Sequence, residues 1–579
     1  MTGDPRRGGP AHIRGSVTGI SFLAGLGIAF SLPPWGFWIV AFPAGALLWW
    51  RLGGLAPRTR FLAGWMAGLG LFIPGLWWST SFNTYGGIVL IAVEALALAS
   101  ACLLTPPGRG RTPALVGAMV LLEALRDTWP FGGLPIGSPA LGQAGGPLLY
   151  AARLGGPLLL VGLVWLGAGA LGAIALGLAH WRGTTASARR LSGQLAKLEE
   201  HQQMVEQSQE APTGGPPYGY SPVPPPSSRP LLKGRARAFV TTGSVAAVLV
   251  VAVGLWGSFA SNGGAALRHI RVAAVQGGGV RGLRKSQVNP ATVLAAQYAA
   301  TAEIPRVDAG KPPALVLWPE DVVSLYGLLA DSPEQGSLGA LARHLHATLV
   351  VGVTETVSST HFRNEVVAFA PDGKVVAHYE KVHRVPFGEY VPYRSFFSHL
   401  ANLSAVPLDA IPGHGDGLIR TPAGKLGVMI SYELFFANRG RPPTRAGAQL
   451  LLGPTNTSSY ATSQVPTQEV AASRLQAVEE GRDLVQAAPT GFSAIIDNDG
   501  RVLQRTSLGK RQVLVATVAM RDGKTIYERL GDLPVLILAG LCVIVGWILA
   551  VTTVEDRPGA EAARERWRKA RAMRRGAQP

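Results

Sequence analysis

The chain has 579 residues, of which 47% are hydrophobic and only 15% charged, with Gly and Pro at about a fifth of all positions. High apolar content with sparse charge excludes a disordered polymer, and Gly without a three-residue period excludes collagen. The two cysteines, Cys102 and Cys542, each lie inside a long apolar run, which rules out a disulfide framework, a cysteine zinc site and a cysteine nucleophile in any soluble portion. The net charge is +18, yet the stretch from Arg268 to Arg529 holds 27 Lys and Arg against 22 Asp and Glu, a balance of +5. The remaining +13 flanks apolar runs, where it reads as membrane orientation and not as a nucleic-acid footprint.

Crossing a bilayer takes ~20 apolar residues for ~30 Å of hydrocarbon. Stretches near that length run over 15–32, 35–50, 61–79, 86–104, 113–126, 157–179, 238–258 and 533–553, the second and fifth being short. The first is not a cleavable signal, since further spans follow directly and no A-x-A site ends it. Basic residues alternate in number between the connecting segments. Arg6, Arg7 and Arg14, then Arg51, Arg58 and Arg60, then Arg109 and Arg111, eight in 180–237 and eight in the tail make 24 on one side, against Arg126 and Arg153 on the other. Both termini are therefore expected in the cytoplasm, with the long region between the last two spans facing outward. Within the spans only Glu94 and Glu123 are acidic. Glu123 has Arg126 one helical turn on and is expected to pair with it; Glu94 is expected to make a further pairing or a polar-cavity contact, and not to relay protons for a transporter. Trp49, Trp50, Trp77 and Trp78 sit near span ends and read as interfacial anchors.

Residues 181–237 read as a basic insertion. A polar helical stretch from Leu191 to Gln209 leads into PTGGPPYGYSPVPPPSSRP, whose composition cannot bury a core. A plain linker is the simpler account, with a Pro-rich ligand for a cytosolic partner as the alternative. The basic tail 554–579 is expected to lie on anionic headgroups.

From His269 the texture becomes soluble α/β. Short β-rich runs (IRVAAVQ, ALVLWPE, ATLVVGV, KLGVMIS, AQLLLGP) alternate with amphipathic helical stretches at Pro290–Ile304, Leu338–Ala347 and Thr467–Gly481. Turn chemistry predicts two hairpins, around Pro371-Asp372-Gly373 and around Asp497-Asn498-Asp499-Gly500. The pattern predicts a layered sandwich of mixed sheets. Three strand ends carry reactive groups: Glu320 closes LVLWPE, Lys381 closes AHYEK and Ser431 closes LGVMIS. A carboxylate, an ammonium and a hydroxyl converging on one sheet edge suffice for acyl transfer. The base takes the nucleophile's proton, the cation stabilises the oxyanion, and the acyl group rests on the side chain. His344, His346, His361, His378 and His383 include one H-x-H but no cysteine and no H-E-x-x-H helix, so no metal site is assigned. GGGVRG after the first strand lacks a dinucleotide-binding frame.

Longer motifs carry a resemblance. WPED (318–321), YEKVHRVPFGEYVPYR (379–394), GVMISYE (427–433), PTNTSS (454–459), AASRLQAVEEGRDLVQAAPTGFSAIID (471–497) and the closing Thr525, Tyr527, Gly531 and Asp532 resemble the nitrilase-type domain of bacterial apolipoprotein N-acyltransferases. Glu123, Arg126 and Gly133-Leu134-Pro135 resemble that family's fifth span and following loop. The resemblance implies a membrane protein of about eight transmembrane helices with an extracytoplasmic α-β-β-α sandwich. Helices one to six fall in 1–180, the insertion in 181–237, helix seven in 238–260, the nitrilase-like domain in 268–530, helix eight in 533–553 and the tail in 554–579. It implies an enzyme of the bacterial cytoplasmic membrane that takes an acyl chain from a phospholipid and passes it to the α-amino group of a lipoprotein's diacylglyceryl-cysteine. No cofactor, metal or nucleic acid is implied. By the same resemblance Glu320 is the general base, Lys381 the oxyanion-stabilising lysine and Glu389 a supporting glutamate, while Tyr432 and Glu433 follow the nucleophile.

The departure lies at the nucleophile, where the family has cysteine and this chain has Ser431. A hydroxyl needs a stronger base than a thiol of pKa ~8.5, and its ester is less activated than a thioester. Gln276-Gly277-Gly278 and PTNTSSY also depart from the family's Q-G-N and T-N-D-A-W-F. The expectation is an acyltransferase working through an acyl-enzyme on Ser431. The alternatives are a catalytically silent lipid or lipoprotein binder and an external amide or ester hydrolase.

Overall fold

The computed structural model describes residues 10–208, 229–279, 287–307, 312–399, 402–404 and 406–555. The Pro/Gly-rich run 209–228, the tail from 556 and the first nine residues lie outside the described residues. Helices occupy each expected span: α1 (Pro10–Ser31), α2 (Ala41–Arg51), α3 (Pro57–Leu76), α4 (Thr84–Leu104), α5 (Arg111–Arg126) and, after the short α6 (Pro139–Gly142), α7 (Ala152–Ser208) and α8 (Arg229–Phe259). Five helical stretches among the described residues are long and apolar enough to cross a membrane: 57–81, 84–104, 147–182, 236–259 and 533–552. Val17–Ser31 of α1 is a further, shorter apolar helix. The 11 residues of α2 rise only ~16 Å at ~1.5 Å each, and the 16 residues of α5 are also short of a crossing. The margins of the expected insertion are helical too. α7, broken at Gly155 and Gly156, runs on to Ser208, and α8 begins at Arg229, ahead of the expected 238.

The tryptophan expectation holds only in part. Trp50 and Trp77 are exposed, but Trp49 is buried, donates to Thr112 Oγ1 at 2.9 Å and lies under the Arg111 guanidinium. The Trp78 ring meets Tyr460 of the sandwich edge to face at 4.9 Å. Trp49 is thus fixed by packing among the helices, and Trp78 by contact with the sandwich.

The sandwich begins with β1 (Arg268–Gln276), α9 (Pro290–Thr301), α10 (Ile304–Val307), β2 (Leu315–Leu317), β3 (Val323–Leu325), α11 (Pro333–Leu345), β4 (Thr348–Thr356), β5 (His361–Phe369) and β6 (Val375–Glu380). It continues with α12 (Arg394–Phe397), β7 (Asp409–Ala410), β8 (Leu418–Thr421), β9 (Gly424–Val428), α13 (Ala437–Arg445), β10 (Leu450–Pro454), α14 (Val465–Glu480), β11 (Leu484–Ala487), β12 (Ala494–Ile496), β13 (Val502–Arg505), β14 (Gln512–Met520) and α15 (Ile526–Leu530), and α16 (Leu533–Glu555) follows. One sheet runs β14-β1-β2-β4-β5-β6, with β3 and β7 as side strands; the other runs β13-β12-β11-β10-β9-β8. Both predicted hairpins form, as antiparallel β5–β6 and β12–β13.

Strand alternation explains the layers. Val272 and Ala274 of β1, Val350 of β4, Leu426 and Val428 of β9 and Leu452 of β10 fill one core between the sheets. Their neighbours Ala273, Val275 and Val351 point outward and are covered by α9 and α11, through Ala300, Leu338 and Ala342. On the far side Leu451 and Leu484 meet Ala477 of α14. The other face of α14, through Ala471, Leu475 and Val478, joins the apolar core of the membrane helices, as do Tyr432 and Phe436. The sandwich is thus seated on the helical half through the helix and the turn that flank the candidate nucleophile.

Candidate active site

Glu320 lies three residues past β2, Lys381 directly past β6, and Ser431 three residues past β9, opening a short 3-10 turn to Phe435. The expected convergence on one sheet edge is corrected: β2 and β6 belong to one sheet and β9 to the other, so Glu320 and Lys381 extend from one sheet and Ser431 from the other. Gly352 of β4 permits this at Glu320. A Cβ there would stand 2.3 Å from Pro319 O and 2.5 Å from Glu320 Cα.

Lys381 Nζ donates to Glu320 Oε1 and to Glu389 Oε1, both at 2.8 Å. Asn364 Nδ2 of β5 donates to the same two oxygens, also at 2.8 Å. The result is a closed ring of two carboxylates cross-tied by an ammonium and an amide. Glu389 is held in turn by the Val385 amide on Oε2 at 2.7 Å. Lys381 and Glu320 are almost wholly buried. Burial pushes the Glu320 carboxyl above its ordinary range and the Glu389 charge adds to this, while Lys381 and Asn364 pull it back. Burial works against the Lys381 charge, but the two carboxylates outweigh it and hold the ammonium above its usual value.

Glu433 ties the nucleophile turn to this ring. It is fully buried and accepts from the amides of Val382 and His383, which follow Lys381, at 2.9 and 3.0 Å. The same carboxylate accepts from the Ile430 amide, which precedes Ser431, at 2.8 Å, and from Tyr379 OH at 2.9 Å. Ser431 itself adopts φ +51°, a left-handed conformation that a non-glycine residue holds at a cost of about 1–3 kcal/mol when its surroundings over-determine it. Its Oγ stands 3.3 Å from Thr455 Oγ1 at the end of β10, and Thr455 is hydrogen-bonded to the buried Glu469 of α14.

The loop after α5 closes the site from the membrane side. Three successive carbonyls accept from the sandwich: Phe131 O from Tyr390 OH at 3.0 Å, Gly132 O from His383 Nε2 at 3.0 Å, and Gly133 O from Tyr432 OH at 2.7 Å. Gly133 has φ +96°, and a Cβ there would strike the Asp127 carbonyl carbon at 2.3 Å. The base of the loop is fixed by Arg126, which donates to Glu94 at 2.6 Å, Glu123 at 2.8 Å, Leu134 O at 2.9 Å and Ile136 O at 3.1 Å. The pairing expected for Glu123 is present, and the partner left open for Glu94 is the same arginine.

Comparison with known proteins gives both halves a relationship. A family profile described as the apolipoprotein N-acyltransferase N-terminal domain matches residues 24–170, and one described as carbon-nitrogen hydrolase matches 271–527. An apolipoprotein N-acyltransferase of Mycolicibacterium smegmatis is 29% identical over 549 residues, covering 91% of this chain and 84% of that protein. The chain belongs to the apolipoprotein N-acyltransferase family. A Geobacter metallireducens apolipoprotein N-acyltransferase is 33% identical over 228 residues, 39% of this chain and 43% of that one. Among solved structures, a Saccharomyces cerevisiae member of the nitrilase superfamily superposes with TM-score 0.33 at 21% identity, covering 44% of this chain and 91% of that one.

As in its family's membrane setting, the chain is a multi-pass membrane protein. Of the residues singled out from sequence, Glu320, Lys381 and Glu389 form one cluster, and Ser431 is joined to it through the Glu433 turn. Tyr432 points elsewhere, to the membrane-side loop. Sequence reasoning missed Asn364, Thr455 and Glu469. Asn364 stands two residues ahead of the apolar run VVAFA, and Thr455 lies in a motif already quoted; Glu469 gives no local signal, since only the fold brings α14 against β10. Among the described residues Glu365, His378 and Glu380 also bring one ligand atom each within 4.8 Å of one another, but Glu365 pairs with His378 at 3.2 Å and Glu380 with Arg363 at 3.0 Å.

Proposed function

We propose that this member of the family moves a fatty acyl chain from a membrane phospholipid to the α-amino group of a lipoprotein's diacylglyceryl-cysteine, through an ester on Ser431. The observation that carries the reading is the closed ring of Lys381, Glu320, Glu389 and Asn364, which one buried carboxylate, Glu433, ties to the Ser431 turn.

In the first half-reaction Ser431 Oγ attacks the ester carbonyl of the phospholipid and Glu320 takes the hydroxyl proton. Two ammonium protons of Lys381 are committed to carboxylates, and the third faces the developing oxyanion. Collapse breaks the bond to the glycerol oxygen, which leaves as the lysophospholipid alcohol with the proton from Glu320. In the second half-reaction the neutral amine attacks the Ser431 ester, its proton passes to Glu320, and the amide leaves as Ser431 regains its hydrogen. Glu389 and Asn364 hold the Glu320–Lys381 pair in register. Donor and acceptor reach the site from the membrane, and the loop 131–133 forms its membrane-side wall. The basic-residue distribution supports a cytoplasmic-membrane protein with both termini inside and the 268–530 domain outside.

The test is acylation of the detergent-purified full chain with phosphatidylethanolamine carrying a labelled acyl chain, read by peptide mass spectrometry. The expected result is an ester on Ser431 that disappears when a diacylglyceryl-cysteine peptide is added. An adduct on the Ser431→Cys variant with none on Ser431 would identify a silent member with an intact frame.

A further inference from the structure

Glu320 is cross-tied to Lys381 and Asn364, and a second carboxyl is linked to Ser431 through Thr455, from the helix packed on the sheet that carries Ser431. Glu469 of α14 is buried, its Oε1 bonded to Thr455 Oγ1 and its Oε2 3.4 Å from Gln486 Nε2. Thr455 Oγ1 in turn stands 3.3 Å from Ser431 Oγ. Thr455 has a single hydroxyl proton, which an ionised Glu469 would claim and a protonated one leaves free, so two of the arrangements that keep both contacts give Ser431 opposite roles. Either a protonated Glu469 donates to Thr455 and Thr455 donates to Ser431 Oγ, or Ser431 donates to Thr455 and Thr455 donates to an ionised Glu469.

We propose that Glu469 and Thr455 are positioning residues for Ser431, forming a hydrogen-bond chain whose direction sets which way the Ser431 proton points. With Glu469 protonated, Thr455 donates to Ser431 Oγ, which leaves the serine proton free to face Glu320 and supplies a donor to the oxygen as negative charge gathers on it. With Glu469 ionised the chain reverses, the serine proton turns toward Thr455 and away from the base, and a second negative charge enters the site. The first state prevails at neutral pH, because burial pushes the Glu469 carboxyl up to about 8 against the pull of its Thr455 hydrogen bond. The charged groups that act on it are Glu320, which raises it, and Lys381, which lowers it. Its hydrogen-bond partners, Thr455 just past β10 and Gln486 of β11, are uncharged. Reactivity of Ser431 therefore carries an alkaline limb owed to a residue that touches neither substrate nor nucleophile.

This inference rests on Ser431 being the nucleophile, and its test is separable from acyl transfer. The full chain in detergent is labelled with a fluorophosphonate, which traps an activated serine without any phospholipid, and the labelling rate is followed from pH 5 to 10. The expected profile falls above about pH 8. Glu469→Gln, whose amide donates to Thr455 at every pH, loses that limb while still labelling, whereas Glu469→Leu and Thr455→Val label at least several-fold more slowly across the range. Infrared spectra should show a protonated-carboxyl band that titrates with the limb and is missing in Glu469→Gln. An alkaline limb that survives in Glu469→Gln overturns the proposal, as does a wild-type chain that does not label at any pH. Labelling as expected with no acyl adduct from phosphatidylethanolamine would instead overturn the donor assignment and leave the relay standing.

Discussion

Arg126 in the helical half and Lys381 in the sandwich are both buried cations held between two carboxylates: Glu94 and Glu123 at 2.6 and 2.8 Å around the first, Glu320 and Glu389 at 2.8 Å around the second. The charge balance is the same, and the difference lies in where the remaining donors go. The planar fork of Arg126 spends them on the carbonyls of Leu134 and Ile136, and its face rides 4.6 Å above the Phe72 ring. Every direction of the guanidinium ends on framework, so the group braces a loop. Lys381 is a point charge with rotatable donors, and an amide from Asn364, not a second cation, completes its ring. One arrangement locks backbone in place; the other keeps a carboxylate and an ammonium together, tied through Glu433 to the turn that carries Ser431.

Exchanging the two roles is the strongest way to break that comparison. Lys381→Met removes the cation proposed to face the oxyanion and is expected to slow ester formation on Ser431 by ~10²–10³-fold, the scale of losing one oxyanion donor. Lys381→Arg is not expected to restore it, since the longer planar fork does not put one nitrogen 2.8 Å from both Glu320 and Glu389 as the Lys381 ammonium does. Arg126→Met should act on the fold. Removing one partner from a buried charge cluster costs about 3–5 kcal/mol, read as a lower melting temperature in detergent, while Ser431 in the surviving folded fraction keeps its labelling rate.

A smaller effect sharpens the description of the ring. As the proposed base Glu320 must be ionised, and its carboxyl is raised by burial, so ester formation should climb with pH through a midpoint above the ordinary carboxylate range. The stability linkage has the opposite sign. A carboxyl raised on folding binds its proton more tightly in the native state, so its contribution is present below the ordinary value and is lost as pH rises toward the raised one. Asn364→Leu removes one of the hydrogen bonds that pull the carboxyl down. It should move the acid limb further up and lower the plateau rate several-fold, measured as the pH profile of labelled-acyl incorporation.

Much of this was legible in the chain, and what was not has a common cause. Apolar length and Arg placement located the helices; β-runs and Pro-Asp-Gly or Asp-Asn-Asp-Gly turns located the strands and both hairpins. Glu320, Lys381 and Ser431 stood out because each ends an apolar strand with a reactive group. Local patterning could not say that β9 belongs to a different sheet from β2 and β6, since strand order depends on crossovers and not on periodicity. Nor could it find Glu469, which reaches Ser431 only through packing of α14 on β10, or show that the short α5 is covered by neighbours while α3 is long enough to cross. Trp49 misled for the same reason: a tryptophan near a span end has one composition whether it faces lipid or another helix.

The gentlest test concerns the seam between the two halves. Tyr432, next to the nucleophile, sends its hydroxyl to Gly133 O at 2.7 Å, while its ring packs edge to face on Phe436 at 4.9 Å. Tyr432→Phe keeps the ring and deletes one neutral hydrogen bond, a change of about 1 kcal/mol in stability. The Gly133 carbonyl is left unpaired, and with Phe131 and Gly132 still tied by Tyr390 and His383 the loop should stay attached but sit less tightly against the sandwich. Fluorophosphonate labelling of Ser431 should then be nearly unchanged, whereas acylation from phosphatidylethanolamine, which needs the membrane-side wall in place, should fall by a few-fold. Equal losses in both assays would mean that Tyr432 acts on the nucleophile itself, and the division between a bracing membrane half and a reacting sandwich would have to be redrawn at that residue.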